Sequence, residues 1–229
     1  MLRPRALLAA ALLLAAGCTP SPDPAGWRPL FDGRSLAGWV PSGFDAEGAV
    51  RVDPDFRGGG SAILLHRGTT ATGITWTSGA ELPRQNYEIE LEAMRVEGGD
   101  FFCGLTFPVG REACTLVVGG WGGTVVGISR VDRVDAAENE TAREMEFADG
   151  RWYRIRLQVT PERLRAWIDD APVVDLALAG KALSLRPGPT HRSLPLGVAT
   201  YMTTGALRGF RLRTLPSASG PAPAPDLRP

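Results

Sequence analysis

The chain has 229 residues, and its 25 Lys and Arg residues balance 25 Asp and Glu residues, so the formal net charge at pH 7 is zero. This balance excludes the strongly basic surface with which proteins bind nucleic acid. With 44% apolar residues, 28 glycines and 19 prolines, the composition is typical of a turn-rich globular domain that can bury a core.

The first residues have the pattern of an export signal. Arg3 and Arg5 precede a short apolar run over residues 6–16, and Ala-Ala-Gly leads directly into Cys18. The run is too short to span a bilayer as a helix. Small residues before a Cys resemble the bacterial lipobox, in which the signal is cut before the Cys and its thiol is acylated. We therefore predict a signal peptide over residues 1–17 and lipid attachment at Cys18. The alternative is an ordinary secretory signal that contains a cysteine.

Proline-rich segments flank the remainder of the chain. Residues 18–26 predict a tether, residues 216–229 predict a disordered Pro/Ala-rich tail, and one domain is left over residues 27–215. These features predict a protein of the bacterial cell envelope that faces the periplasm or the outer surface. Its membrane contact would be made through the N-terminal lipid only, and no nucleic-acid partner is expected.

Period-two alternation predicts β-strands as the building unit of the domain. Apolar residues alternate with glutamates over residues 87–94 and with arginines over residues 152–159 and 210–215. Residues 132–146 are the one segment that predicts a helix or a long loop. Further strands are predicted at residues 62–65, 73–76, 114–118, 124–129, 164–168 and 196–200. So many short strands favour two packed antiparallel sheets.

Two cysteines, Cys103 and Cys114, lie in strand-like runs joined by a Pro-Val-Gly turn. If the turn centres between Pro108 and Val109, the cysteines face each other across the hairpin, which predicts a disulfide in an exported protein. A one-residue change in the turn would put the two thiols on opposite faces of the sheet.

The segment from Trp27 to Trp39 has the sequence WRPLFDGRSLAGW and is the first basis for a family resemblance. This segment resembles the entry motif of the bacterial 3-keto-disaccharide hydrolase family, also described as domain of unknown function 1080. The similarity continues through residues 87–94, 98–102, 150–153, 166–169 and 210–215. It implies an all-β, two-sheet antiparallel jelly-roll sandwich of the concanavalin A-like or laminin G-like kind. The family commonly has a His-Gly near the end of the domain, but residues 196–203 contain no histidine.

The resemblance also implies a chemistry. A ketone at C3 of a glycoside acidifies the proton at C2, so a positioned base can remove this proton and expel the C1 substituent, with water added later. Such a site needs a base and a group that stabilises the enolate. We predict Asp100, Glu140 and Asp169 as catalytic residues, and Trp121, Asn139, Trp167, Asp170 and Tyr201 as substrate-binding residues. The alternatives are turn chemistry for the aspartates, a solvated helix face around Glu140 and core packing for the aromatic residues.

The alternating Glu88, Glu90 and Glu92 resemble the E-x-D-x-E strand of concanavalin-like β-glucanases, with Glu90 in place of the Asp. The alternative, which we favour, is a ladder of opposite charges across strands. Its partners would be Arg154 and Arg156, or Arg211 and Arg213.

No pattern in the sequence fixes a metal or cofactor. The cysteines and the two histidines lack the spacing of a zinc site. Asp53 and Asp55, or the Asp100 loop, offer oxygen ligands for a divalent cation such as calcium. The cofactor and the oligomeric state are left open.

Three hypotheses follow for the function. The first is an envelope enzyme that hydrolyses or eliminates 3-keto-glycosides or disaccharides by abstraction of the C2 proton. The second is a non-catalytic carbohydrate-binding module on the same fold, which the missing histidine favours. The third is an envelope scaffold with no sugar site. The first two predict a saccharide ligand.

Overall fold

The computed structural model describes residues 25–78 and 82–217. The predicted signal peptide, Cys18 and nearly all of the predicted tether and tail lie outside these residues. Within the described ranges, no helix has the length and apolar character needed to cross a membrane.

Strands and two short 3₁₀ helices make up the regular structure of these ranges. The strands are β1 (Arg28–Pro29), β2 (Trp39–Pro41), β3 (Val50–Asp53), β4 (Ala62–Leu65), β5 (Ala71–Trp76), β6 (Tyr87–Gly98), β7 (Cys103–Val109), β8 (Glu112–Gly120), β9 (Val125–Ser129), β10 (Arg143–Glu144), β11 (Trp152–Val159), β12 (Arg163–Ile168), β13 (Ala171–Ala177), β14 (Gly197–Tyr201) and β15 (Thr203–Thr214). The 3₁₀ helices are Phe56–Gly58 and Pro189–Ser193.

The strands form two antiparallel sheets packed face to face, which confirms the predicted all-β sandwich. Sheet I has the order β13-β12-β11-β6-β15-β4-β3, with β1 paired to β15, and sheet II has the order β10-β9-β8-β7-β14-β5-β2. The apolar residues of both inner faces form one large core cluster. The segment 132–146, predicted as helix or loop, is a loop that contains β10.

The outer face of sheet I is the predicted ladder of opposite charges. β6 lies between β11 and β15, so Glu88, Glu90 and Glu92 each have a basic or polar register partner on both sides. The Glu88 carboxylate is almost fully buried and contacts Arg213 at 2.5 Å and Arg156 at 3.5 Å. The remaining ion pairs of β6 join Glu90 to Arg211 at 2.6 Å and Glu92 to Arg208 at 2.7 Å. The glucanase-like interpretation of this strand is therefore wrong.

Tryptophans cover this arginine–glutamate ladder. The Trp27 ring packs under the guanidinium groups of both Arg211 and Arg213, each 4.6 Å from the ring centroid. On neighbouring strands, Arg156 stacks on Trp167 at 4.0 Å and Arg208 on Trp152 at 4.2 Å. These cation–π contacts and the ion pairs occupy much of the outer face of sheet I, and an apolar cluster around Phe56 and Met94 occupies another part of it.

The predicted disulfide is wrong, because the β7–β8 hairpin turns later than the sequence suggested. Val109 pairs with Glu112, so the turn is Gly110-Arg111, and Gly110 supplies the positive φ of 56° that a tight turn needs. Cys103 then lies opposite Val118 rather than Cys114, an offset of about 13 Å along the strand. Both thiols are free and buried in the core, and burial raises the pKa of Cys103 to about 12.

Candidate functional site

The outer face of sheet II differs from that of sheet I in the size of its side chains. Strands β5, β7, β8, β9 and β14 point large apolar residues inward, as the core cluster shows. Their alternate positions face outward and are mostly Gly, Ala, Ser or Thr. These outward residues are Ala71, Gly73, Thr75, Gly104, Thr106, Thr115, Gly127, Ser129, Gly197 and Ala199. Six of these small residues line an open cleft, whereas the 132–146 loop covers Gly127 and the Pro189–Ser193 helix covers Gly197.

The cleft has two adjoining halves. The first half, of about 340 Å³, is lined by Asp100, Val117, Trp121 and Ser129. The second half, of about 390 Å³, extends over β14 and β5 towards the loop at Phe44. Both halves share five lining residues, which are Phe101, Thr115, Arg186, Thr190 and Tyr201. Each volume lies within the range of small-molecule sites.

Asp100 is the carboxylate of the first half, and the β6–β7 connection fixes its orientation. Oδ1 accepts a hydrogen bond from the backbone N–H of Phe101 at 2.7 Å, and Oδ2 accepts one from Gly122 at 3.3 Å. The backbone N–H of Asp100 donates to the Thr203 hydroxyl at 3.1 Å. Because a carboxylate has about four lone-pair positions, both oxygens keep room for a ligand proton.

Aromatic rings form the walls of the cleft. Phe101 and Tyr201 stack with centroids 5.8 Å apart and planes at 22°, and the backbone N–H of Tyr201 donates to the carbonyl of Phe101 at 3.0 Å. Trp121 extends from the Gly-rich turn after β8 and is 40% exposed, while Tyr201 is 38% exposed. Exposed rings beside hydroxyl groups are suited to the apolar face of a pyranose.

Arg186 places a positive charge over the cleft from the loop before β14. Its Nε lies 3.4 Å from Oδ2 of Asp135, and its guanidinium lies 5.7 Å from the centroid of Trp121. Oδ1 of Asp135 in turn accepts a hydrogen bond from the Ser129 hydroxyl at 3.3 Å. Asp135 therefore links the arginine to the floor of the cleft.

The structure thus brings together three of the eight residues predicted for the site: Asp100, Trp121 and Tyr201. Asn139 instead organises its own loop, because its Nδ2 donates to the carbonyl of Ile128 at 2.7 Å and its Oδ1 accepts from the Thr141 N–H at 2.9 Å. Glu140 is exposed and pairs with Lys181 at 2.5 Å. The hydrogen bonds that Lys181 donates to Glu140 and to Asp132 raise the pKa of Lys181. Neither Asn139 nor Glu140 lines the cleft.

The other three predicted residues belong to sheet I. Asp169 and Asp170 form the β12–β13 turn with positive φ of 49° and 66°. The Asp169 carboxylate accepts hydrogen bonds from Arg151 at 2.6 Å and from the backbone of Arg154 at 2.9 Å, and Asp170 pairs with the Arg154 guanidinium. Trp167 belongs to the arginine–glutamate ladder. Their assignment to the same site as Asp100 is wrong, because they lie on the opposite sheet.

Sequence reasoning missed Phe101, Arg186 and the hydroxyl groups of the cleft floor. The alternation of large with small residues in segments such as Gly73-Ile74-Thr75-Trp76 was a usable signal for the floor. Arg186 had no comparable signal, because its loop has no periodic pattern.

The described residues include no group of three or more His, Cys, Asp or Glu side chains placed to bind a metal ion. At the cation site predicted at Asp53 and Asp55, the Asp53 carboxylate accepts a hydrogen bond from the backbone N–H of Asp55 at 3.2 Å and lies 4.0 Å from the Arg51 guanidinium. These groups stabilise a turn.

Comparisons with known proteins agree with this architecture. A family model described as 3-keto-alpha-glucoside-1,2-lyase-like domain matches residues 26–200. A proposed glycosyl hydrolase from Parabacteroides distasonis is similar in structure, with 12% identity and a TM-score of 0.51 over 84% of this chain and 95% of that chain.

Two further solved structures are similar at low identity. The Crh5 transglycosylase has 12% identity and a TM-score of 0.50 over 86% of this chain and 85% of that chain. A carbohydrate-binding module from Bacillus subtilis has 12% identity and a TM-score of 0.45 over 77% of this chain and 96% of that chain. A comparison with curated proteins gives no match.

Proposed function

Since the chain belongs to the family of 3-keto-alpha-glucoside-1,2-lyase-like domains, we propose that it cleaves 3-keto-glycosides in the cleft of sheet II. The family is one of carbohydrate-active, glycosyl-hydrolase-like domains. The observation that supports this activity is the meeting of a carboxylate, a guanidinium group and exposed aromatic rings in one concavity. A base, an enolate partner and a sugar platform are the groups that such a reaction needs.

In the proposed reaction, the Asp100 carboxylate takes the proton from C2 of the keto sugar. The C–H electron pair forms the enolate, whose oxygen at C3 carries the negative charge, and the Arg186 guanidinium stabilises this oxygen. The enolate then expels the C1 substituent, which leaves a C1=C2 double bond next to the ketone. The leaving oxygen takes a proton from the Tyr201 phenol, because Tyr201 lines both halves of the cleft. Water adds at C1 in a later step.

Turnover by the full chain tests this proposal. We expect release of the C1 substituent from 3-keto-glucosides and none from the unoxidised parents. Asp100→Asn should lower kcat by at least about a hundredfold, because the amide is not a base. Asp169→Asn is the matched control on sheet I and should keep the activity. Full activity in Asp100→Asn, or no turnover of any keto substrate, would contradict the proposal.

A second candidate function is saccharide binding without catalysis. The exposed Trp121 and Tyr201 rings and the absence of a histidine in residues 196–203 favour it. Exchange of the C2 proton of a 3-keto-glucoside in D₂O, followed by NMR, separates the two functions. A catalytic base accelerates this exchange even where elimination is slow, whereas a binding module does not.

We further propose that the protein is exported and anchored to the envelope through a lipid on Cys18. Within the domain, Trp27 and β1 pack on sheet I, so the chain enters the domain on the side away from the cleft. An anchored domain would therefore present the cleft away from its attachment point. The test is fractionation of Cys18→Ser, which we expect to release the protein from the membrane fraction. Retention in the membrane would contradict the lipid anchor.

A further inference from the structure

The second half of the cleft has an apolar floor. Phe44, Ala71 and Ala199 form one cluster of buried residues, separate from the main core, and Phe101 packs against it. Phe44 keeps 6%, Ala199 7% and Ala71 9% of its surface exposed. These side chains line the second half together with the Phe101–Tyr201 ring pair.

Two glycines let the aromatic rings of this floor lie close to the sheet. A Cβ at Gly73 would be 3.0 Å from Cε2 of Phe44, and a Cβ at Gly104 would be 3.0 Å from Cε2 of Phe101. Both distances are shorter than ordinary van der Waals contact, so a side chain at either position would displace the ring. The glycines therefore give the second half a flat surface.

Most polar side chains of the second half already have partners within the protein, and the Arg186 guanidinium pairs with Asp135. The Thr70 hydroxyl donates to the carbonyl of Asp45 at 2.9 Å. The hydroxyls of Thr106 and Thr115 bond to each other, also at 2.9 Å. A sugar ring in this half would lose its hydrogen bonds to water and gain few from the protein. An apolar ring makes no such hydrogen bonds and therefore loses none. In the first half, the Asp100 carboxylate keeps lone pairs for a sugar, whereas the Asp45 carboxylate at the second half pairs with Arg192 at 3.6 Å.

We propose that the second half is an aglycone site for a planar aromatic group, so that the preferred substrates are aryl 3-keto-glucosides. The assignment rests on the proposed function, which places the keto sugar beside Asp100 in the first half. The aryl ring then lies on the apolar floor and against the Phe101–Tyr201 pair, where offset stacking and burial of apolar surface favour binding.

Binding of two unoxidised glycosides by the full chain tests the aglycone site without catalysis. We expect phenyl α-glucoside to bind about ten- to a hundredfold more tightly than methyl α-glucoside in calorimetric titration, because a phenyl ring buries more apolar surface than a methyl group. Phe44→Ala should remove most of this preference, because the phenyl ring then loses part of its apolar floor. Phe56→Ala is the matched control, because Phe56 is 9% exposed in an apolar cluster on sheet I.

Equal affinities for the two glycosides, absence of phenyl α-glucoside binding at millimolar concentration, or an unchanged preference in folded Phe44→Ala would overturn the aglycone site. Circular dichroism establishes that each variant is folded. Turnover of methyl 3-keto-α-glucoside without any phenyl preference would reject the aglycone site alone. A phenyl preference without turnover of keto substrates would reject the proposed reaction alone.

Discussion

Both sheets point apolar residues into the core at alternate positions, but the residues between them give the two outer faces different surfaces. Over residues 87–93 of β6 and 153–159 of β11 in sheet I, the positions between the core residues carry Glu, Arg or Gln, and several of these side chains bond across strands. In β5, β7 and β14 of sheet II, the corresponding positions are mostly glycine, alanine and threonine. Sheet I is thus covered by its own side chains, whereas sheet II leaves a cleft.

This difference separates stability from ligand binding in the molecule. The buried Glu88 carboxylate depends on its arginine and glutamine partners, so changes on sheet I should act on folding. The floor of the cleft forms only a small apolar cluster apart from the main core, so changes on the outer face of sheet II should act mainly on the ligand. Substitutions on each sheet, with stability and ligand binding both measured, test this comparison.

The largest effect on stability is expected at Glu88. Its carboxylate contacts Arg156 and Arg213 and accepts a hydrogen bond from Gln158 at 2.9 Å. Glu88→Ala leaves two half-buried arginines without their shared anion, which should lower the free energy of unfolding by about 3 kcal/mol. Urea denaturation of the full chain measures this change.

Glu92 provides the internal control for Glu88. It has the same role on the same strand, but its side chain is 36% exposed and pairs with Arg208. Glu92→Ala should therefore cost less than about 1 kcal/mol. Equal losses at the two positions would mean that burial does not set the strength of the ladder.

A smaller effect on stability, with a clear effect on the ligand, is expected at Gly104. A Cβ at this position meets the Phe101 ring at 3.0 Å and the carbonyl of Ala199 at 3.4 Å. We expect Gly104→Ala to move the ring into the cleft, to weaken saccharide binding about tenfold and to change the unfolding free energy by no more than about 1 kcal/mol. Gly99→Ala is the control, because its Cβ would meet nothing within 4 Å. If both variants bind equally well, the flat floor is not needed for the ligand.

Much of the fold could be predicted from the sequence, because the core residues alternate with polar ones. The strand predicted at residues 62–65 is β4 without change, and the one at residues 152–159 is β11. The β7–β8 turn could not be placed, because Pro-Val-Gly permits two registers and alternation in the flanking strands fits both. Only the sheet selects Gly110-Arg111, and with it the separation of the two cysteines.

The candidate site was predictable only in part, because a sequence does not say which outer face a turn belongs to. Asp100 and Asp169 both follow or begin a strand and both resemble turn residues, yet they lie on opposite sheets. Arg186 reaches the cleft through the fold of a loop distant in sequence from Asp100. Its contact with Asp135 is tertiary and has no local pattern.

The smallest effect on stability is expected at the exposed edge of sheet I. There the hydrogen bond from Arg163, assisted by Arg165, lowers the pKa of Asp175. Because the folded pKa lies below the unfolded value of about 3.9, the carboxylate stabilises the fold above that value, and this contribution is lost as the pH falls through the folded pKa. Asp175→Asn should therefore lower Tm by only about 1 °C at neutral pH and low salt. The difference from the parent should vanish in strong acid and shrink in about 0.5 M salt, since solvent and ions screen exposed pairs. A loss as large as that of Glu88→Ala would show instead that the edge and the centre of sheet I contribute equally to stability.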